Sequence, residues 1–210
     1  IKPNKGLGID KLDVLKMNEL TKNILNSDVV INLAWDIKSE AHHLNNYDEK
    51  NFKMSENIFR ACIEANVPRL IVASSVRCHN IEYLVNANYT NYINIRTPTN
   101  PSSFYGKDKV KIENLGKVYS RFFDVICVRF GAIGKQDMSF WKTKLGVTHS
   151  DCIGLIEHII KLEEIENKFQ KIYGLSKYDN SVFNLKNNLN WKPKDDLTEF
   201  YNRHQNFNVR

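Results

Sequence analysis

No run in the sequence approaches the roughly eighteen uninterrupted apolar residues that a membrane-spanning helix needs. Residues 1–10 also lack the apolar core of a signal peptide. Neither a membrane nor secretion is indicated, and the cytoplasm is the expected compartment. Cysteine is sparse: Cys62, Cys78, Cys127 and Cys152 are scattered and form no C-x-x-C pair, so they are expected as reduced thiols that behave as small apolar residues. The net charge of +6 and pI near 9.0 come without a basic block. Lysines such as Lys2, Lys5, Lys11 and Lys16 in the first part of the chain, and Lys107, Lys109, Lys111 and Lys117 further on, are interleaved with acids and lack a row of stacking aromatics. That pattern argues against nucleic acid as a partner. His42, His43 and His79 are not accompanied by cysteines or carboxylates at ligand spacing, so no metal is expected. Internal repeats and low-complexity linkers are also missing.

The chain has 210 residues, of which 42% are hydrophobic, enough for one sizeable core, so residues 1–210 are read as a single domain. Residues 28–34 (Asp-Val-Val-Ile-Asn-Leu-Ala) read as a strand buried on both faces. Residues 51–66 carry Phe52, Ile58, Phe59, Cys62 and Ile63 at helical spacing, and Val67-Pro68 ends that helix. Residues 70–75 form a second strand, followed by a loop to about Ser103. Residues 105–123 are helical, residues 124–130 form a third strand, and a helix over 150–165 with a shorter run over 169–175 completes the alternation. Strands alternating with helices predict an α/β fold with a mostly parallel sheet covered on both faces. Its ligand crevice would lie beyond the carboxyl ends of the strands, near Ala34, Trp35, Ser74, Ser75, Phe130 and Gly131.

Tyr105 and Lys109 carry the sharpest chemical signal. Four residues apart on a helix, they share one face one turn apart. A lysine charge beside a phenol favours the phenolate and lowers its pKa from the ordinary value of about 10. Such a tyrosine serves as a general acid or base toward a hydroxyl or carbonyl. Ser75, at a strand end, is placed to hold the same oxygen.

The order of these parts resembles the extended short-chain dehydrogenase/reductase family, of the NAD-dependent epimerase/dehydratase type: Ser75, then Ser-Phe-Tyr-Gly-Lys-Asp-Lys opening a helix at 103–109, then a strand closing on Arg-Phe-Gly at 129–131. Residues 28–34, Asn51 with its helix, and the Val-Pro-Arg-Leu-Ile-Val segment at 67–72 fit the same pattern. The branch of uronate dehydrogenases and related sugar oxidoreductases is closer still, through Thr-His-Ser-Asp at 148–151 and Leu-Asn-Trp-Lys-Pro-Lys-Asp-Asp at 189–196.

That resemblance implies a Rossmann-like three-layer fold that binds NAD or NADP and acts on a sugar, nucleotide sugar or uronic acid. It implies Tyr105 as acid/base, Lys109 as the group that lowers its pKa and holds the nicotinamide ribose, and Ser75 as partner of the substrate oxygen. Asp13 and Val14 match the segment beside the adenine, and Leu33, Ala34 and Trp35 match the strand end along the cofactor. Phe130, Gly131 and Ala132 match the wall at the nicotinamide, Val76 and Arg77 the substrate side, and Asn51 a structural tie between loops. Residues 134–210 are expected to supply the substrate-side C-terminal part. A homodimer through the helices at 51–66 and 105–123 is implied by the same analogy.

The sequence departs from the family at two places. The family opens with a strand and a Gly-x-x-Gly-x-x-Gly turn that holds the pyrophosphate, about fifty residues that this sequence does not show. The first strand-helix-strand unit is therefore expected to be absent, and Lys-Gly-Leu-Gly at 5–8 reads as an ordinary turn. In place of the arginine that holds a sugar carboxylate after the third strand stand only Lys135, Lys142 and Lys144. A second reading, a non-catalytic remnant or fragment of this family that does not hold the cofactor tightly, is favoured by the first departure. The catalytic reading is favoured by the intact Ser75, Tyr105 and Lys109.

Overall fold

A computed structural model describes residues 6, 8, 10–86, 90–134 and 145–203. Helix α1 (Met17–Ile24) leads to strand β1 (Val30–Asn32), followed by the short α2 (Glu40–His43) and the long α3 (Lys50–Glu64). Strand β2 (Arg69–Ser75) runs into a 3-10 turn (Val76–Cys78) and α4 (Ile81–Asn86). Then come α5 (Phe104–Tyr119), β3 (Asp124–Phe130), the short β4 (Ala132–Gly134) and β5 (Gly146–Thr148), α6 (His149–Lys161), β6 (Phe169–Gly174) and α7 (Thr198–Arg203). Strands β1, β2, β3 and β6 form a sheet in that order, every neighbouring pair parallel; β4 and β5 pair separately.

Side chains alternate across a strand, and this sorts the core into two layers. Leu70, Val72, Val125 and Cys127 face α1, α3 and α5, packing with Leu20, Ile58, Phe59, Cys62 and Ile112. Ile71, Ile126, Val128 and Ile172 face the other way, onto Leu155 and Ile159 of α6 and Trp191. The result is the three-layer, Rossmann-like α/β arrangement expected. Helix ends follow local chemistry. Ser103 caps α5 by accepting from the Gly106 amide (3.1 Å), and Thr148 caps α6 by accepting from the Asp151 amide (3.0 Å). Asn66, with φ of 52°, turns the chain out of α3 ahead of Pro68. The Thr148–Asp151 segment and the Lys194–Asp195 segment, far apart in sequence, are tied together: the buried Asp151 accepts from the Ser176 hydroxyl (2.6 Å) and the Lys194 amide (2.7 Å), and Thr148 donates to Asp195.

Several expectations need correction. The strand expected at 28–34 is hydrogen-bonded only over Val30–Asn32 and is not buried on both faces, because among the described residues it has a partner strand on one side only; Ile31 and Leu33 are exposed. The helix expected to reach residue 123 ends at Tyr119, where Ser120 closes it and Phe122 turns to solvent. The helix expected at 150–165 starts one residue earlier and stops at Lys161, and the loop to Ser103 contains a 3-10 turn and α4. The side chains of His42 and His43, and Lys135, Trp141, Lys142 and Lys144, lie outside the described residues.

Candidate functional site

At the carboxyl ends of β2 and β3 opens a cleft of about 460 Å³. Ser75, Val76, Arg77, Tyr105, Phe130, Gly131 and Ala132 line it together. Ala41, Asn45, Ile81, Ser103 and Leu145 complete the described wall. Among these residues Arg77 carries the one charge. Two close approaches fix the geometry. A Cβ on Gly106 would lie 2.3 Å from the Arg77 carbonyl oxygen, so the glycine after Tyr105 lets the start of α5 press against the 3-10 turn. A Cβ on Gly131 would lie 1.9 Å from the Leu145 carbonyl oxygen, so that wall too closes only on glycine. The Ser75 side chain accepts from the Arg77 amide (3.2 Å), which fixes the turn and aims both residues into the cleft.

Lys109, nearly fully buried, lies behind Tyr105. Its Nζ donates to the Ala73 carbonyl (2.7 Å), lies 3.7 Å from the centre of the Trp35 ring, and is 5.6 Å from the centre of the Tyr105 ring. The Trp35 and Tyr105 rings meet edge-on at 5.2 Å. Burial pulls the Lys109 ammonium down to about 8. It also pushes the Tyr105 phenol above its ordinary value; the hydrogen bond with Ser75 pulls it back down, Cys78 raises it and the Arg77 charge lowers it. This corrects the expectation of a phenol lowered by Lys109. The ammonium is engaged by a carbonyl and an indole face, and the Arg77 charge is the smallest of the influences on a phenol that burial holds up.

Neither the residues matched to the adenine side, Asp13 and Val14, nor those matched to the strand end along the cofactor, Leu33, Ala34 and Trp35, are among the residues that line the cleft. Asp13 is exposed and accepts from the Leu15 amide (3.0 Å), Val14 packs on the α1–α3 core with its carbonyl held by Asn57 (3.1 Å), and Leu33 is exposed. Ala34 is partly buried on the same core, its amide held by Asn32 (3.0 Å). Asn51 ties loops as expected: it accepts from the Asp36 amide (2.7 Å) and donates to the Asp36 carbonyl (3.0 Å) and the Ser39 hydroxyl (2.7 Å). His79 sits in a buried polar network behind the cleft, and among the described residues no three metal-binding side chains converge.

A parallel α/β sheet with a cleft at the carboxyl ends of its strands places a ligand site where doubly wound folds carry one. The NAD dependent epimerase/dehydratase family model matches residues 2–136, more than half of the sequence, and the chain belongs to that family. A curated relative, the L-arabinose 1-dehydrogenase (NAD(P)(+)) of Haloferax volcanii, is 28% identical over 136 residues, covering 60% of this chain and 53% of the relative. The chain thus spans about half the length of that relative. Uronate dehydrogenase from Agrobacterium tumefaciens superposes with a TM-score of 0.74 at 22% identity, over 96% of this chain and 73% of the other. UDP-N-acetylglucosamine 4-epimerase from Bacillus cereus superposes with a TM-score of 0.68 at 15% identity, over 96% and 88%. At such identities the superpositions bear on the fold. Among the described helices, none is long and apolar enough to cross a membrane.

Proposed function

We propose that the protein is an NAD(P)-dependent oxidoreductase or epimerase acting on a sugar, nucleotide sugar or uronic acid, with Tyr105 as acid/base. The observation that carries this is the placement of the Tyr105 phenol beside Ser75 in the cleft at the strand ends. NAD(P)+, when bound, supplies the hydride acceptor; Lys109, Phe130, Gly131 and Ala132 would hold its reactive end, Leu33, Ala34 and Trp35 would lie along it at the strand end, and Asp13 and Val14 would belong to the adenine side. Tyr105 takes the proton of the substrate hydroxyl as the carbon beneath it loses hydride, and returns a proton in the reverse direction. The Ser75 hydroxyl holds the same oxygen. Arg77 favours the phenolate and offers a cation to an acidic substrate group, with Val76 beside it. Residues 134–210 supply the substrate-side part of the fold.

A cytoplasmic homodimer that takes a small sugar and no nucleic acid accords with this reading. The exposed Ile63 of α3, Val118 of α5 and the neighbouring Phe122 give the two helices an apolar outer face. The alternative is a non-catalytic remnant or fragment of the family that does not hold the cofactor tightly. Calorimetric titration of the 210-residue protein with NAD+ and NADP+, followed by a screen of aldoses and uronic acids for nicotinamide reduction, separates the two. Saturable binding with turnover on a sugar is expected; a folded protein that binds neither nucleotide would establish the alternative.

A further inference from the structure

We infer that Glu113 is a positioning residue for the reaction at Tyr105, acting through a buried polar network that joins α5 to the strand ends bearing the site. The inference rests on the catalytic reading above. Glu113 follows Tyr105 and Lys109 at one further helical step of four, so all three project from the same face of α5. Its buried carboxylate accepts from the Ser74 hydroxyl (2.7 Å) and from Arg129 at both oxygens, Nε at 2.7 Å and Nη2 at 2.6 Å. The Cys78 thiol lies 3.5 Å from the same carboxylate. Arg129 is wholly buried and reaches onward with Nη1 to His79 Nε2 (3.1 Å) and the Tyr173 hydroxyl (3.4 Å). The Tyr173 hydroxyl in turn donates to the Asn94 carbonyl (3.3 Å).

The neighbours of these residues give the network its meaning. Ser74 precedes Ser75, Arg129 precedes Phe130 and Gly131, and Cys78 follows Arg77. The three segments that deliver Ser75, Arg77 and the Phe130–Gly131 pair are therefore pinned to Glu113 within one or two positions. A bidentate guanidinium–carboxylate pair fixes direction as well as distance. It holds the height and rotation of α5 on the sheet, and so the place where the Tyr105 hydroxyl meets Ser75. Packing alone leaves these coordinates softer: Gly116, further along α5, allows the helix close against Val125, but its contacts are apolar and carry no directional bond. Errors of about 1 Å in such a constellation cost about 10²-fold in rate.

Removing one charge from a buried pair threatens the fold, so the test uses Glu113→Asp and the double variant Glu113→Gln/Arg129→Met. The first keeps the charge on a shorter arm, and the second removes both charges together. Each is compared with the parent for melting temperature, kcat, cofactor KM and the ionisation of Tyr105, the last read as the ultraviolet difference between each protein and its own Tyr105→Phe counterpart. A kcat about 10²-fold lower in whichever variant melts like the parent, with cofactor KM unchanged and the Tyr105 titration moved upward as its Ser75 bond loosens, is the expected result. Parental kcat and an unmoved titration in such a variant would overturn the inference and leave the pair a stabilising element only. If the parent itself turns over no sugar, the catalytic reading fails, while the titration still decides whether Glu113 positions Tyr105.

Discussion

The two flanks of the sheet differ in how firmly they are built. Around β2 and β3, every strand has neighbours on both sides, Val125, Ile126, Cys127 and Val128 are fully buried, and at the carboxyl ends of the strands Glu113 binds Ser74 and Arg129, which reaches Tyr173. Around β1 the described strand is three residues long, Ile31 is 38% exposed and Leu33 67% exposed. The residues proposed for chemistry sit on the first flank. Those matched to the adenine end of a dinucleotide sit on the second. A proton-transfer site needs its groups held to a fraction of an ångström, whereas the dinucleotide itself completes its surroundings when it binds.

The largest test of this contrast falls on Arg129. Arg129→Met strips the partner from the buried Glu113 carboxylate and is expected to cost about 3–5 kcal/mol in chemical unfolding. A loss below about 1 kcal/mol would show that the first flank does not depend on the pair. A slightly smaller effect comes from pH. Burial, followed by the Arg129 charge, holds His79 down at about 4, so its neutral form is favoured in the fold. Between that value and the ordinary value of about 6.5 the unfolded chain binds the extra proton, and stability falls as pH drops through this window. The loss amounts to roughly 3 kcal/mol by pH 4. Replacement of His79 by Gln should flatten that part of the melting-temperature profile; an unchanged profile would show that other groups govern it. The smallest effect belongs to the second flank. Leu33→Ser, at an exposed position beside β1, should change stability by less than about 0.5 kcal/mol, and a larger loss would mean that this side chain is covered in solution.

The sequence carried the parallel α/β fold because long apolar periods and strand–helix alternation are set by burial, which local patterns record. It carried part of the cleft, since Ser75, Tyr105 and the Phe130–Gly131 pair stand at element ends whose meeting point the topology dictates, whereas Ala34, Trp35 and Ser74, expected around the same crevice, are not among its lining residues. Short elements escaped it. The six residues of α4 and the three-residue strands β4 and β5 owe their form to tertiary contacts rather than to a period long enough to see. The electrostatics of Tyr105 escaped it as well. Spacing puts Lys109 on the right face of α5, but whether its ammonium points at a phenol, a carbonyl or an indole depends on Ala73 and Trp35, which come from other strands and loops. A signal for the Glu113 network was available: Arg129 interrupts an otherwise apolar strand, and a buried charge demands a counter-charge. Glu113 stood at the next helical step beyond Lys109.

The most direct test of the central claim is a comparison of the parent with Tyr105→Phe, both saturated with NAD+ or NADP+ and mixed with the sugar or uronic acid that the parent oxidises. The account predicts that both bind the nucleotide with similar affinity and that nicotinamide reduction falls by about 10²–10⁴-fold in the variant. Equal rates of reduction in the two proteins would contradict it.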